Sequence, residues 1–429
     1  MNLNEFMENF RRGEIVISFA KNVYLVEGAV NSCVYDLNSK KIYHLIATET
    51  NFIKSIVGQE KMKLQFDDEE KDAFNYLLSQ NIIVDAELKD FNDGDIHKVQ
   101  FPSTNINMAW IEVTKKCNLF CKHCYEESNI SNQSEMDLQD FEHVVNELEE
   151  IGVKAIQLIG GEPLIIGEKL KTMIEYARSR FDSIEIFSNG NLIDEDWIDF
   201  FKKNDVKIAL SLYSYIPEMH DKVTSVKGSH SMTISAISCL KENGIPFRIA
   251  SVMMKDVEIG SRDTDMFHIK LKKDIVRMSG RASLDLLDKE LMMKKLITKN
   301  SFASPLNVNL ICRAVQGHNC FSRRLYIDSD LEVYPCVMER RIKHGSLVKN
   351  HLADIIDSKI LELSKDYIEE CKRCEFRYCC HDCRSDTITD NVFAKPWVCT
   401  YNPEIGEWAN PEEYCHIVME QNTRNNVFL

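Results

Sequence analysis

Between residues 155 and 280 the chain repeats one unit, a short apolar run followed by an amphipathic stretch, and few folds accept that repeat. The apolar runs are AIQLIG (155–160), SIEIFSNG (183–190), KIALSLY (207–213), FRIASVMM (247–254) and DIVRMS (274–279), with MAWIEV (108–113) as an earlier member. Between them lie segments with helical spacing, DLQDFEHVVNELEEIG, EKLKTMIEYARSR, EDWIDFFKKN and SMTISAISCLKENG, two of which stop at Gly152 and Gly244. Apolar runs without alternation are strands covered on both faces, which implies parallel pairing through crossover helices. Six such strands predict an α/β fold, a partial (β/α)6 barrel with its site at the C-terminal ends of the strands.

The flanks are different. Before residue 101, VYLVEGAVNSCVYDLNSKKIYHL alternates like a β-hairpin around an Asn-Ser-Lys-Lys turn, and DEEKDAFNYLLSQNIIV reads as a helix running into a short strand. This predicts a small separate α+β unit, with DFNDGD (90–95) as its linker. After residue 300 cysteines become dense and periodic runs scarce, so ligation rather than a large core is expected to hold that part. The predicted domains are 1–100, 101–300 and 301–429, in keeping with a length too great for one core. A net charge of −15 argues against nucleic acid or an anionic membrane as partner. There is no run of 18 apolar residues and no signal-peptide core at the N-terminus, so a cytoplasmic location is expected.

Fifteen cysteines in such a chain point to metal or cluster ligation rather than disulfides. Three lie at 117–124 and nine between 312 and 399, leaving Cys33, Cys239 and Cys415 apart. Cys239, inside a helical stretch, reads as a core thiol. The first group, Cys117-x3-Cys121-x2-Cys124, offers three thiols. Zinc normally takes four ligands, and His123 is too close in sequence to Cys124 to join easily. A redox pair would use Cys121 and Cys124 and leave Cys117 idle. An iron–sulfur cluster with one open iron uses all three. Spacing alone leaves cluster and structural metal open.

CNLFCKHCYE after an apolar strand resembles the signature of the radical S-adenosylmethionine (SAM) superfamily, whose open iron binds the methionine amine and carboxylate. The resemblance assigns Cys117, Cys121 and Cys124 to that cluster. His123 stands where the family usually carries an aromatic residue beside the adenine. IGGEP (159–163) matches the family's Gly-Gly-Glu-Pro segment, so Gly160, Gly161, Glu162 and Pro163 are expected near the methionine amine. Ser188 and Asn189 in FSNGN, and Ser211 in ALSLYS, are expected to line the ribose and carboxylate region. IVRMSGRA (275–282) resembles the closing segment, where Arg281 either binds a carboxylate or makes a surface salt bridge.

Eight later cysteines match the SPASM extension of radical SAM peptide maturases, which implies two auxiliary [4Fe–4S] clusters and three in all. The pattern gives Cys312, Cys320, Cys336 and Cys383 to the first and Cys371, Cys374, Cys380 and Cys399 to the second. Leu331 stands where a Gly commonly precedes VYPC, and Cys380-x2-Cys383 is one residue short, so Cys379 and Cys415 remain alternatives to Cys380 and Cys399. CEFRYCCHDCR (374–384), CTYNPEIGEW (399–408) and LVEGAVNSCVYDL (25–37) resemble the maturases that accompany ATP-grasp peptide ligases.

Residues 12–86 resemble the winged-helix leader-recognition domain of enzymes acting on ribosomal peptides, with 20–45 as the edge that takes the leader as an added strand. The resemblance implies SAM as cofactor, a flavodoxin- or ferredoxin-type reductant, and a precursor peptide bound through its leader. It implies an intramolecular crosslink, a thioether first and a carbon–carbon or carbon–oxygen bond otherwise. A SPASM dehydrogenase forming formylglycine on a protein substrate and a non-catalytic partner protein are the alternatives. The sequence names neither the general base nor the oligomeric state.

Overall fold

The computed structural model describes residues 16–58, 66–99, 105–260, 271–387 and 389–425; of the N-terminal unit expected over 12–86, residues 12–15 and 59–65 therefore lie outside the described residues. That unit holds β1 (Val16–Phe19), β2 (Val23–Glu27), β3 (Ser32–Asp36), β4 (Lys41–Leu45), α1 (Ala47–Ile56), α2 (Asp68–Ser79) and β5 (Ile83–Ala86). β1 pairs antiparallel with β5, and β2, β3 and β4 form a second antiparallel sheet in that order. The expected hairpin thus gains a third strand, because the chain also turns between Gly28 and Asn31, where Gly28 N donates to Asn31 O (2.8 Å). α2 starts at Asp67, which accepts from Glu70 N while Glu70 Oε2 accepts from Asp67 N, a reciprocal cap.

The unit is not separate. β3 is buried on both faces: Val34 enters a core with Ile17, Ile53 and Phe74, while Cys33 and Tyr35 pack with Phe376, Tyr378 and Tyr401 of the C-terminal region. Period-2 alternation accounts for this, since neighbours on one strand serve opposite cores. Nor is DFNDGD a free linker. The Asn92 amide donates to Ala20 O and Val23 O, and Gly94 O accepts from Leu25 N, which pins the stretch along β2.

The central sheet has nine strands in the order β11-β10-β9-β8-β7-β6-β12-β13-β14. Six parallel strands follow one another: β6 (Met108–Thr114), β7 (Ala155–Gly160), β8 (Ser183–Ser188), β9 (Lys207–Ser211), β10 (Phe247–Met253) and β11 (Lys272–Ile275). Crossovers run through α3 (Leu138–Glu150), α4 (Glu168–Ala177), α5 (Glu195–Asn204), α6 (Pro217–Thr224) and α7 (Ser229–Glu242). α3 is capped by Asp137 and α5 by Asp194. Gly152 and Gly244 follow α3 and α7 with positive φ, the turn their sequence positions predict. Ile156, Leu158, Ile184, Ile186 and Ile208 fill one core with Phe141, Met173 and Phe201.

Two helices, α8 (Lys289–Lys295) and α9 (Val308–Gln316), precede β12 (Arg324–Ile327), which extends the sheet parallel to β6; β13 (Glu332–Tyr334) and β14 (Gly345–Ser346) add antiparallel strands. Leu331, between β12 and β13, has φ 64°, so the place where glycine is common is a left-handed turn. Its side chain is buried in the main core, which offsets part of the strain.

Candidate active site

The loop after β6 holds the first three thiols. Cys117 Sγ accepts from Leu119 N (3.4 Å), and the loop is tied to α6 by Phe120 N to Thr224 O and Lys122 N to Val223 O. Burial, then the neighbouring charges of Glu162 and Cys124, pushes the Cys117 thiol up to about 12. Burial, then Cys117 and Cys124, does the same to Cys121. Thiols so placed stay protonated unless a cation offsets their mutual repulsion. The donor set therefore fits an iron–sulfur cluster, with Cys117, Cys121 and Cys124 as its holders.

GGEP lies directly against this loop. A Cβ on Gly160 would sit 2.0 Å from Thr114 O, and one on Gly161 would sit 2.2 Å from Lys116 O. The two glycines thus let the end of β7 press on the chain entering the cysteine loop. Gly161 N and Glu162 N complete that contact by donating to Thr114 O and Lys116 O. Pro163 opens the short turn that follows. Glu162 is wholly buried and accepts from Asn189 N (2.7 Å), Ser188 Oγ (2.9 Å) and Leu164 N (3.2 Å). Burial raises its carboxyl to about 7. Asn189 Nδ2 donates to Asn118 Oδ1 (2.8 Å), so Glu162, Ser188 and Asn189 link the ends of β7 and β8 to the cysteine loop.

His123 has a buried Nδ1 without a partner, and its ring meets Tyr213 edge-on at 4.7 Å. Burial lowers it to about 4, so it stands as a neutral aromatic ring. Tyr213 itself was not foreseen: its phenol is hydrogen-bonded with Ser211 and with Cys121, which puts Ser211 one bond from the thiol loop. The signal was present in ALSLYS, where residues 211 and 213 share a face. Among the described residues Arg281 makes no surface salt bridge; it faces the cysteine loop, and its buried Nη2 has no partner. Its Nε donates to Cys121 O (3.0 Å), its NH1 to Ser128 O (3.0 Å), and its guanidinium lies 4.0 Å from the Phe120 ring centroid, so it clamps the thiol loop.

A cavity of about 660 Å³ runs from the sheet to the C-terminal region. Trp110, Ile159 and Phe187 line it from β6, β7 and β8, and Cys320, Cys336 and Cys383 line its far wall. Tyr125, next to Cys124, also lines it. Cys312 does not line this cavity. It sits on α9 near Tyr24 of β2, whose phenol is raised by burial first and by Cys312 second. A second, small cavity is lined by Cys371, Cys374, Cys380 and Cys399. Cys379 points elsewhere, donating to Phe376 O (3.3 Å) and accepting from Tyr35 Oη (3.3 Å), and Cys415 is buried in an apolar cluster with Trp397 and Val398. Behind the first cavity, Tyr326 Oη donates to Glu112 Oε2 (2.6 Å), and Arg340 donates to Tyr326 Oη (2.8 Å) and to Glu126.

Among the described residues no helix is long and apolar enough to cross a membrane. Residues 111–269 match the radical SAM superfamily and residues 320–384 the SPASM iron–sulfur cluster-binding domain. The chain is 30% identical over 152 residues to the antilisterial bacteriocin subtilosin biosynthesis protein AlbA of Bacillus subtilis, a match covering 35% of this chain and 34% of that protein. It is 24% identical over 366 residues to the cysteine-type anaerobic sulfatase-maturating enzyme of Clostridium novyi, covering 71% of this chain and 96% of the relative. The solved structure of native anSMEcpe with bound AdoMet shares the fold, with TM-score 0.51 and 17% identity over 73% of this chain and 95% of that one.

Proposed function

The chain joins a radical SAM domain to a SPASM iron–sulfur domain, and from that premise we propose that it is a maturase of a ribosomally made precursor peptide. The reaction is an oxidative crosslink within the peptide, a thioether first. The observation that carries this reading is the cavity lined by Trp110, Ile159 and Phe187 of β6, β7 and β8, by Tyr125, and by the thiols Cys320, Cys336 and Cys383. Tyr125, the neighbour of Cys124, brings the thiol loop's side of the fold to that cavity. SAM and a cluster held by Cys117, Cys121 and Cys124 would supply the chemistry of hydrogen-atom abstraction from a peptide carbon. The chain's own part is to hold and shield. Glu162 and Arg281 fix the thiol loop, His123 and Tyr213 present aromatic faces, and Trp110, Ile159 and Phe187 keep the cavity apolar. The match to the subtilosin biosynthesis protein supports a peptide substrate.

In this reading the N-terminal unit receives the leader along β4, the edge strand of its sheet opposite β2, along which residues 92–94 already run. The second reading, oxidation of a Cys or Ser on a protein to formylglycine, is favoured by the near end-to-end match to the sulfatase-maturating relative.

The test is anaerobic reaction of the reconstituted full chain with SAM, a flavodoxin-type reductant and the short peptide encoded beside its gene, read by mass spectrometry. Loss of two hydrogens per crosslink, with no aldehyde trapped by hydrazide, is the expected result. Aldehyde formation supports the second reading. An unchanged peptide despite deoxyadenosine release counts against both. Changing Cys117, Cys121 and Cys124 together to Ala is expected to lower iron from about twelve to about eight per chain.

A further inference from the structure

The two later thiol sites are joined by Cys380-His381-Asp382-Cys383, with Cys380 in the small cavity and Asp382 and Cys383 in the large one. Behind this stretch lies a buried charge group that the proposed reaction does not explain. Lys365 Nζ is 2.9 Å from Cys380 Sγ and 2.8 Å from Asp382 Oδ1. The Lys365 and Asp382 side chains are 7% and 1% exposed. Asp382 is also paired with Arg384, itself 1% exposed. The His318 ring lies 3.9 Å from Asp382.

The charges in this group do not balance. Lys365 and Arg384 bring two positive charges and Asp382 one negative, all away from water. Burying an uncompensated ammonium is costly, so a further anion belongs beside it. Cys380 is the group in reach of Nζ, and the thiolates of its cavity are the anion. A cationic N–H donor to a cluster thiolate stabilises the more reduced, more negative state, and so raises the reduction potential.

We propose that Lys365 is a positioning residue for the cluster held by Cys371, Cys374, Cys380 and Cys399, donating an N–H···S hydrogen bond to Cys380 that holds that cluster at a more positive potential. Asp382, shared between Lys365 and the wall of the neighbouring thiol site, aims the ammonium. The inference rests on the reading of those four cysteines as cluster ligands.

The test uses the full chain, reconstituted anaerobically, with iron counted and each cluster's midpoint potential followed by EPR redox titration. Lys365→Gln, with iron unchanged, is expected to move one auxiliary signal to more negative potential and leave the SAM-type signal in place. A tenfold change in its oxidised-to-reduced ratio at fixed poise corresponds to about 59 mV for a one-electron couple. Lys365→Arg keeps the charge and is expected to restore most of the shift. An unmoved potential in fully loaded Lys365→Gln overturns the inference. If that variant does not load, Asp382→Asn is read instead: a shift to more negative potential, the ammonium having lost its aim, supports the inference, and an unmoved or more positive potential overturns it. Wild-type protein that binds only one four-iron cluster defeats the ligand reading itself, and the inference falls with it.

Discussion

The loop carrying Cys117, Cys121 and Cys124 hangs from the end of β6, a seven-residue strand inside a nine-stranded sheet. Residues 348–400 supply Cys371, Cys374, Cys380, Cys383 and Cys399, yet among their described residues there is no strand, only short helices and turns. The first site inherits its geometry from hydrogen-bonded strand ends and an apolar core. The second is organised by thiols and buried charges such as Lys365, Asp382 and Arg384, which water would otherwise solvate. A site of the first kind is built before its cofactor arrives. A site of the second kind is completed by it.

Chelation of iron tests this contrast most severely. Residues 371–399 are expected to lose several kcal/mol of local stability while β6 to β9 keep theirs, read as amide hydrogen exchange segment by segment. Equal loss in both would erase the distinction. The reverse perturbation is Phe201→Ala, at a wholly buried ring under the sheet. It is expected to cost about 3–5 kcal/mol in denaturant unfolding while the auxiliary iron content of the folded fraction is unchanged.

Acid sharpens the contrast further. His220 is buried, accepts from Tyr213 N at Nδ1 (3.2 Å), and is lowered by burial to about 4. An unfolded histidine takes its proton near pH 6.5, so the stability this ring contributes is complete above that pH and is lost as pH falls toward 4. The loss is roughly 3 kcal/mol at the lower end, and His220→Gln is expected to flatten that part of the stability profile. The smallest effect is expected at the seam of the N-terminal unit. Tyr35→Phe removes the hydroxyl that donates to Glu375 O (2.9 Å) and Cys379 Sγ, a change of about 1 kcal/mol in unfolding. It should leave the iron count unchanged, since Cys379 does not line the small cavity.

Much of the barrel was legible beforehand because its signals are local. Apolar runs without alternation, and Gly152 and Gly244 as stops, each act within a few residues of where they stand. The thiol loop and GGEP were legible for the same reason. Tyr213 was half visible, as the same-face neighbour of Ser211. The clamp that Arg281 makes on the thiol loop was not legible, because a guanidinium that ends on two backbone carbonyls has no complementary charge to reveal it.

The sequence by itself determined the order of strands and helices and which residues could ligate iron, since periodicity and side-chain chemistry are properties of neighbours along the chain. Cys371, Cys374, Cys380 and Cys399, which the motif resemblance groups, do share a cavity, but tertiary structure alone decided that Cys312 lies near Tyr24 and outside the cavity of Cys320, Cys336 and Cys383. It alone turned a unit that reads as separate into one whose third strand is packed on Phe376 and Tyr378. Such pairings join residues hundreds of positions apart, and burial of apolar area and charge, which selects them, leaves no mark on local sequence.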